Sequence, residues 1–313
     1  MKIISLYKFS EENENQIKSY GTYEYCEALS SNQLVDCEVL IGNPKVEVLK
    51  DAKHLKWIQL CSAGNDQYQK EDLPQNTIMC NASGTFGRTI SEHLLLYTIA
   101  LFRNMKHYVH NQDHHVWDKI HDTKLIYGST FVILGVGDIG IHYAKAIQAL
   151  GGYTIGIRKR NTQMEEGFHE MHTIDSLDKL LPKADVVVLA LPKHPSTDVV
   201  ISKQQLQLMK EDCCLLNVGR GNAIDHNALI EVLEQGHLGG VHLDVYEKEP
   251  LEKASKLWDF KNVVLTPHVS GTFANKQTHI LFEELVLDNF KRYANNETLR
   301  NIVDFTIGYR KLR

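Results

Sequence analysis

The chain has 313 residues, 43% of them hydrophobic and 23% charged, with 34 Lys and Arg against 39 Asp and Glu for a formal net charge of -5. That length has room for two domains of ordinary size, and the balance is that of a soluble globular protein. The acidic balance argues against general nucleic-acid binding, which needs a basic face. Apolar runs such as VVVLAL at 186–191 are far too short to cross a bilayer, so no membrane partner is expected. The opening MKIISLYKFS turns polar too early for a secretory signal. Cys26, Cys37, Cys61, Cys80, Cys213 and Cys214 form no CxxC pair, so they read as reduced thiols, and a cytoplasmic location follows.

In chain order, short apolar runs alternate with helical patterns. Strands are expected at 2–7, 37–42, 56–62 and 77–82, with helical patterns between some of them. Residues 88–109 carry apolar positions at helical spacing with no Pro or Gly, which predicts one long helix. A second series of strands follows at 129–135, 153–158, 184–191, 213–219, 239–245 and 262–267. Nearly all are continuously apolar, as in a parallel sheet buried on both faces. A helix is expected at 276–294 and a last strand at 299–308, returning to the first unit. The expected fold is α/β with two doubly wound parallel sheets. One domain would take 1–101 and 285–313, the other 102–284.

The segment STFVILGVGDIGIHYAKAIQALG at 129–151 reads as strand, glycine turn and helix. Gly135, Gly137 and Gly140 have the G-x-G-x-x-G spacing. The first permits the tight turn, the second lets the backbone approach a pyrophosphate, and the third lets helix and strand pack closely. Asp138 and Ile139 open the helix, where backbone amides and the dipole favour anions. A dinucleotide is therefore the expected cofactor. The next strand, YTIGIRKRN, ends in Arg158, Lys159 and Arg160, where an NAD site commonly has an acid bonding the ribose. No acid follows until Glu165, so no carboxylate is expected to repel a 2′-phosphate. NADP(H) is the expected cofactor, with NAD(H) as the second.

Three further segments carry the chemistry: NVGRG at 217–221, DVYEKEP at 244–250 and TPHVSG at 266–271. Each follows or closes an apolar run and ends a strand. Arg220 can grip a carboxylate with a forked pair of hydrogen bonds. His268 can pass a proton to or from a carbonyl oxygen. Glu249 can hold the imidazole and favour its charged form. A cation, an acid and an imidazole at strand ends suit reduction of a 2-keto acid. The histidines of 107–121, His107, His110, His114, His115 and His121, read as an exposed helix, a hinge or a dimer contact, with no metal expected.

With these motifs in this order, the sequence resembles the D-isomer-specific 2-hydroxyacid dehydrogenases over nearly the whole chain. LKWIQLCSAGND (55–66) is similar to the family's substrate loop, NASGTFGRTISEHLLL (81–96) to the start of its interdomain helix, and ALPKHPST (190–197) to the loop beside its cofactor. The resemblance implies a Rossmann cofactor domain, a flavodoxin-like substrate domain and an active site in the cleft between them. It implies catalytic roles for Arg220, Glu249 and His268, with Ser62, Ala63 and Gly64 binding the substrate carboxylate beside Arg220. It implies that Pro192 lies against the cofactor and that Asp244 holds the nicotinamide carboxamide. It further implies a homodimer built mainly through cofactor domains. Small keto acids such as glyoxylate or hydroxypyruvate are the expected substrates. The rival readings are a phosphoglycerate dehydrogenase, for which SAGNDQYQKED offers only Lys70 to meet a phosphate, and a non-catalytic NAD(P)-sensing binding protein.

Overall fold

The structure is a computed structural model that describes residues 1–50, 52–159, 162–306 and 309–310. It divides into two compact units, Met1–Phe86 with Phe273–Arg313, and Gly87–Thr272. The changes of unit read from the sequence fell after residues 101 and 284.

In the first unit, strands β1 (Lys2–Ser5), β2 (Thr22–Tyr25), β3 (Val39–Ile41), β4 (Trp57–Gln59) and β5 (Ile78–Cys80) form one sheet in the order β2-β1-β3-β4-β5. All its pairings are parallel, the flavodoxin-like order of a doubly wound sheet. Ile4, Leu40, Ile58 and Leu60 form its core with Leu34 and Leu49. The helix Lys276–Ala294 covers the sheet, and its Phe290 packs edge-on against Trp57 at 4.9 Å. Buried Glu283 of this helix accepts from the Ser10 amide at 3.1 Å and the Ser10 hydroxyl at 2.6 Å, which ties it to the start of the helix Glu11–Lys18.

In the second unit, β6 (Thr130–Leu134), β7 (Tyr153–Arg158), β8 (Glu170–Thr173), β9 (Val186–Leu189), β10 (Cys214–Asn217), β11 (Gly240–Leu243) and β12 (Val263–Leu265) form a sheet in the order β12-β11-β10-β9-β6-β7-β8. Every pairing is again parallel. Strand order reverses between β6 and β9, the point where doubly wound sheets bind ligands at their carboxyl ends. Strands β9, β10 and β11 are buried at every position, so their apolar runs are continuous rather than alternating. Both expected parallel-sheet folds are therefore present.

The structure corrects the strand and helix expectations at three places. Strands β2 and β8 were not anticipated. Both are sheet edges with polar sequences, TYEY and EMHT, β2 mostly exposed and β8 partly buried, so they lack the apolar run of the neighbouring strands. The single helix expected at 88–109 is two, Gly87–Phe102 and Met105–Asp113, because Asn104 takes a left-handed φ of 53°, which breaks the helical repeat. The strand expected at 299–308 is a short antiparallel pairing of β13 (Val303–Asp304) with β14 (Tyr309–Arg310), with Ile302 bridged to Cys80. Residues 307–308 of that expectation lie outside the described residues. Among the described residues, no helix is long and apolar enough to cross a membrane, and no group of three or more His, Cys, Asp or Glu could hold a metal ion.

Candidate active site

Because the seven strands of the second unit run parallel, their carboxyl ends lie along one edge. The glycine turn follows β6, Arg158 ends β7, Pro192 lies just beyond β9, Arg220 beyond β10, Asp244 beyond β11 and His268 beyond β12. The sheet thus gathers residues that span more than 130 positions of sequence.

The turn after β6 has the shape a dinucleotide requires. Gly135 has φ 105°, and a side chain there would collide with the Ala190 carbonyl. A side chain at Gly140 would collide with the Gly135 carbonyl. At Gly137 an added Cβ would meet nothing within 4 Å, so the backbone is bare where a phosphate would approach. Gly137 caps the helix Asp138–Ala149 with no side-chain hydrogen bond, leaving the first amides to a ligand. The Asp138 carboxylate packs on Gly87, at the start of the helix Gly87–Phe102, where a negative charge is favoured. Asp138 and Ile139 therefore offer backbone amides rather than an acid. Next to the turn, the Pro192 carbonyl accepts from the Thr197 hydroxyl at 2.9 Å, which ties the ends of its loop together.

Arg158 lies where the sequence placed it. Its Nη2 donates to the Val136 carbonyl at 3.2 Å and to Glu165 Oε1 at 2.6 Å. One expectation is corrected here. Glu165, seven positions further on, folds back onto Arg158, so a carboxylate does stand beside this cation. Lys159 is exposed, and Arg160 lies outside the described residues.

The NVGRG segment is a turn clamped by Asn217. Its Oδ1 accepts from the Gly219 amide at 3.0 Å and its Nδ2 donates to the Arg220 carbonyl at 2.9 Å. Two close approaches explain the glycines that flank Arg220. A Cβ at Gly219 would lie 2.6 Å from the backbone of Leu191, and one at Gly221 would collide with that of Tyr246 and Glu247. Arg220 Nη1 donates to the Gly219 carbonyl at 2.7 Å, which holds the guanidinium near its own turn.

Glu249 and His268 meet. Nδ1 of His268 lies 2.8 Å from Oε2 of Glu249, while Oε1 accepts from the Tyr246 amide at 3.0 Å. A carboxylate can only accept, so Nδ1 carries the hydrogen and Nε2 is the ring nitrogen left outside this pair. The His268 side chain is 52% exposed, so the ring is open to solvent.

His268 has φ 53°, a left-handed conformation that costs a side-chain-bearing residue roughly 1–2 kcal/mol. Asp244 holds it there. The His268 amide donates to the Asp244 carbonyl at 2.9 Å. The buried Asp244 carboxylate accepts from the Thr266 hydroxyl at 2.6 Å, the Val269 amide at 2.9 Å and the Ser270 amide at 3.0 Å. Burial by itself would raise this carboxyl, but the bonds from Ser270, Thr266 and Val269 outweigh it and keep it below the usual range. Sequence reasoning missed Asn217 and Tyr246, and it gave Asp244 no part in shaping the histidine loop. Only the Asn before a glycine turn carried a local signal.

Behind this loop, the His242 ring stacks on Tyr97 at 3.8 Å, and its Nε2 lies 3.0 Å from His93 Nε2. Burial, with His93 adding to it, pushes His242 down to about 3. This ring cluster also went unnoticed in the sequence.

In the first unit, the loop after β4 has its own architecture. The carbonyls of Ser62, Ala63 and Gly64 accept from the Ala82 amide at 2.9 Å, Asn81 Nδ2 at 2.8 Å and the Ser62 hydroxyl at 2.6 Å. Fixing a carbonyl on one side of a planar trans peptide turns the following N–H to the other side. The amides of Ala63 and Gly64 therefore point away from these bonds. The Ser62 hydroxyl itself is engaged within the loop.

The family model for the NAD binding domain of the D-isomer specific 2-hydroxyacid dehydrogenases matches residues 95–270. A glyoxylate/hydroxypyruvate reductase B from Pectobacterium carotovorum is 29% identical over 88% of this chain and 88% of its own length. A D-3-phosphoglycerate dehydrogenase from Methanocaldococcus jannaschii is 26% identical over 97% of this chain, which spans 59% of that enzyme. Among solved structures, an NADPH-dependent glyoxylate/hydroxypyruvate reductase from Sinorhizobium meliloti in complex with NADP and sulfate superposes with a TM-score of 0.83 at 25% identity, covering 98% of this chain and 99% of that one. With the glycine turn, the Glu249–His268 pair and the matched domain in agreement, this chain belongs to the D-isomer specific 2-hydroxyacid dehydrogenases.

Proposed function

We propose that this protein reduces a small 2-keto acid, of the glyoxylate or hydroxypyruvate kind, to the D-2-hydroxy acid with NADPH as the preferred cofactor. The observation that carries the reading is the pair of His268 Nδ1 and Glu249 Oε2 at 2.8 Å, which leaves Nε2 as the nitrogen that would donate a proton. That pair argues for catalysis over a purely cofactor-sensing role.

Gly135, Gly137, Gly140 and the amides of Asp138 and Ile139 would hold the pyrophosphate. Arg158 and Lys159, with Arg160, would meet the adenosine 2′-phosphate, while Pro192 would bound the site and Asp244 would meet the carboxamide. When bound, the reduced nicotinamide supplies the hydride for the keto carbon. Arg220 grips the substrate carboxylate and polarises its carbonyl. The amides of Ala63 and Gly64 take the same carboxylate, beside Ser62. His268 delivers its Nε2 proton to the forming alkoxide, and Glu249 stabilises the imidazolium before that transfer. Because reduction consumes a proton, lower pH favours it and higher pH favours oxidation.

We further propose a cytoplasmic homodimer. Supporting the second copy, Leu96, Met105, Val109, Val116, Trp117 and Tyr127 are all exposed, Trp117 at 92%. Apolar side chains bared in one segment of chain mark an interaction surface.

The test is loss of NADPH absorbance with a panel of keto acids of graded size. Turnover of glyoxylate or hydroxypyruvate is expected. Tight cofactor binding with no turnover of any keto acid would overturn the reading, and a clear preference for a phosphorylated substrate would favour a phosphoglycerate dehydrogenase.

A further inference from the structure

We propose that Glu165 is a specificity-determining residue that tempers the preference for NADP(H) and lets the site accept NAD(H) as well. This rests on the reading of the β7 terminus as the site of the adenosine ribose.

In a dinucleotide fold the group that reads the ribose 2′ position stands at the end of the second strand, roughly 20 residues past the glycines. Here that position is Arg158, whose guanidinium is bonded to the Val136 carbonyl inside the glycine turn itself. The cation is therefore held against the turn that binds the pyrophosphate. Glu165 comes from the loop beyond β7 and pairs with the same Nη2 at 2.6 Å. Its side chain is 33% exposed, against 20% for Arg158, so the acid is the more open member of the pair.

Two consequences follow from this pairing. The carboxylate offsets much of the Arg158 charge, so a 2′-phosphate meets less attraction than the basic run implies. Glu165 also restores, from a distant position, a carboxylate next to the ribose site, where it can accept from the 2′-hydroxyl of NAD(H). A carboxylate several ångströms from a dianionic phosphate in a wet site weakens binding by a factor of about ten. The conformational cost of leaving Arg158 unanchored is of similar or smaller size. Glu165→Gln separates the two effects, since the amide keeps an acceptor for Arg158 and removes the charge.

The test measures kcat/KM for NADPH and for NADH in the wild type and in Glu165→Gln, with inhibition by 2′-AMP and 5′-AMP as binding probes. The expected result is a rise of about tenfold in the NADPH/NADH ratio in the variant, with tighter 2′-AMP inhibition and weaker 5′-AMP inhibition. A ratio that changes by less than about twofold, in a variant with wild-type melting temperature, overturns the proposal. An Arg158→Ala variant tests the underlying reading separately. If it leaves the NADPH/NADH ratio unchanged, the ribose does not sit at this strand end, and the fault lies there rather than with Glu165.

Discussion

His268 and Asp244 are joined twice, once by the His268 amide on the Asp244 carbonyl at 2.9 Å and once by the Asp244 carboxylate holding the amides of the next two residues, Val269 and Ser270. A buried anion that satisfies three donors is costly to disturb. It can therefore stabilise the left-handed backbone of the histidine, whose ring is then aimed by Glu249. Strain at one residue and satisfied hydrogen bonds at its neighbours are parts of one arrangement.

Removing the imidazole should abolish proton transfer without unfolding the chain. His268→Ala is expected to lower kcat by on the order of 10²–10⁴-fold with little change in cofactor affinity. Glu249→Gln should cost less, because the Tyr246 amide keeps its acceptor. Steady-state kinetics with NADPH and glyoxylate, beside cofactor binding by fluorescence, check both. Near-normal kcat in His268→Ala would remove this residue from the mechanism.

The second and third glycines of the turn should separate binding from stability. At Gly137 an added Cβ meets nothing within 4 Å, so Gly137→Ala should melt like the wild type. It should nevertheless raise the KM for the cofactor about tenfold or more, since the methyl occupies the phosphate's approach. Gly140→Ala collides with the Gly135 carbonyl and should lose about 1–3 kcal/mol of stability. Thermal melts with and without cofactor distinguish them.

Buried His242 makes stability depend on acid. Its folded-state value is depressed from 6.5 to about 3, so the unfolded chain binds the proton first as pH falls. Its contribution is complete above pH 6.5 and is lost between 6.5 and about 3, at up to roughly 1.4 kcal/mol per pH unit. His93 and His226 are also lowered, chiefly by burial, and act in the same direction. Urea unfolding at several pH values should show this slope, and His242→Asn should flatten it. An unchanged slope in the variant would place the acid sensitivity elsewhere.

Trp117 is 92% exposed, an unusual state for the largest apolar side chain. If a second copy covers it, Trp117→Glu should shift sedimentation from dimer toward monomer at micromolar concentration. A wild type that sediments as a monomer at all concentrations would refute the dimer.

Much of this site is legible in the linear chain because its motifs are local. GVGDIG is a strand, a turn and a helix in continuous sequence, and its glycines are required by backbone contacts within or next to that unit. NVGRG follows a central strand and TPH the edge strand Val263–Leu265, each marked by an unbroken apolar run, and a parallel sheet then brings their ends to one edge. The edge strands Thr22–Tyr25 and Glu170–Thr173 escaped notice because their polar sequences, TYEY and EMHT, carry no such run.

What folding alone decided is which distant groups become neighbours. Glu165 looked like a loop acid and is an ion-pair partner of Arg158. Asp244 was expected as a ligand contact, and the fold makes it the anchor of the His268 loop. His93 and Tyr97, on a helix, meet His242 on a strand nearly 150 positions away. Propensity and spacing act over a few residues, whereas these pairings depend on how the sheet and its crossovers place separate segments. The residue types that do the chemistry are therefore written in the chain, but the charge each one faces is set by the packed structure.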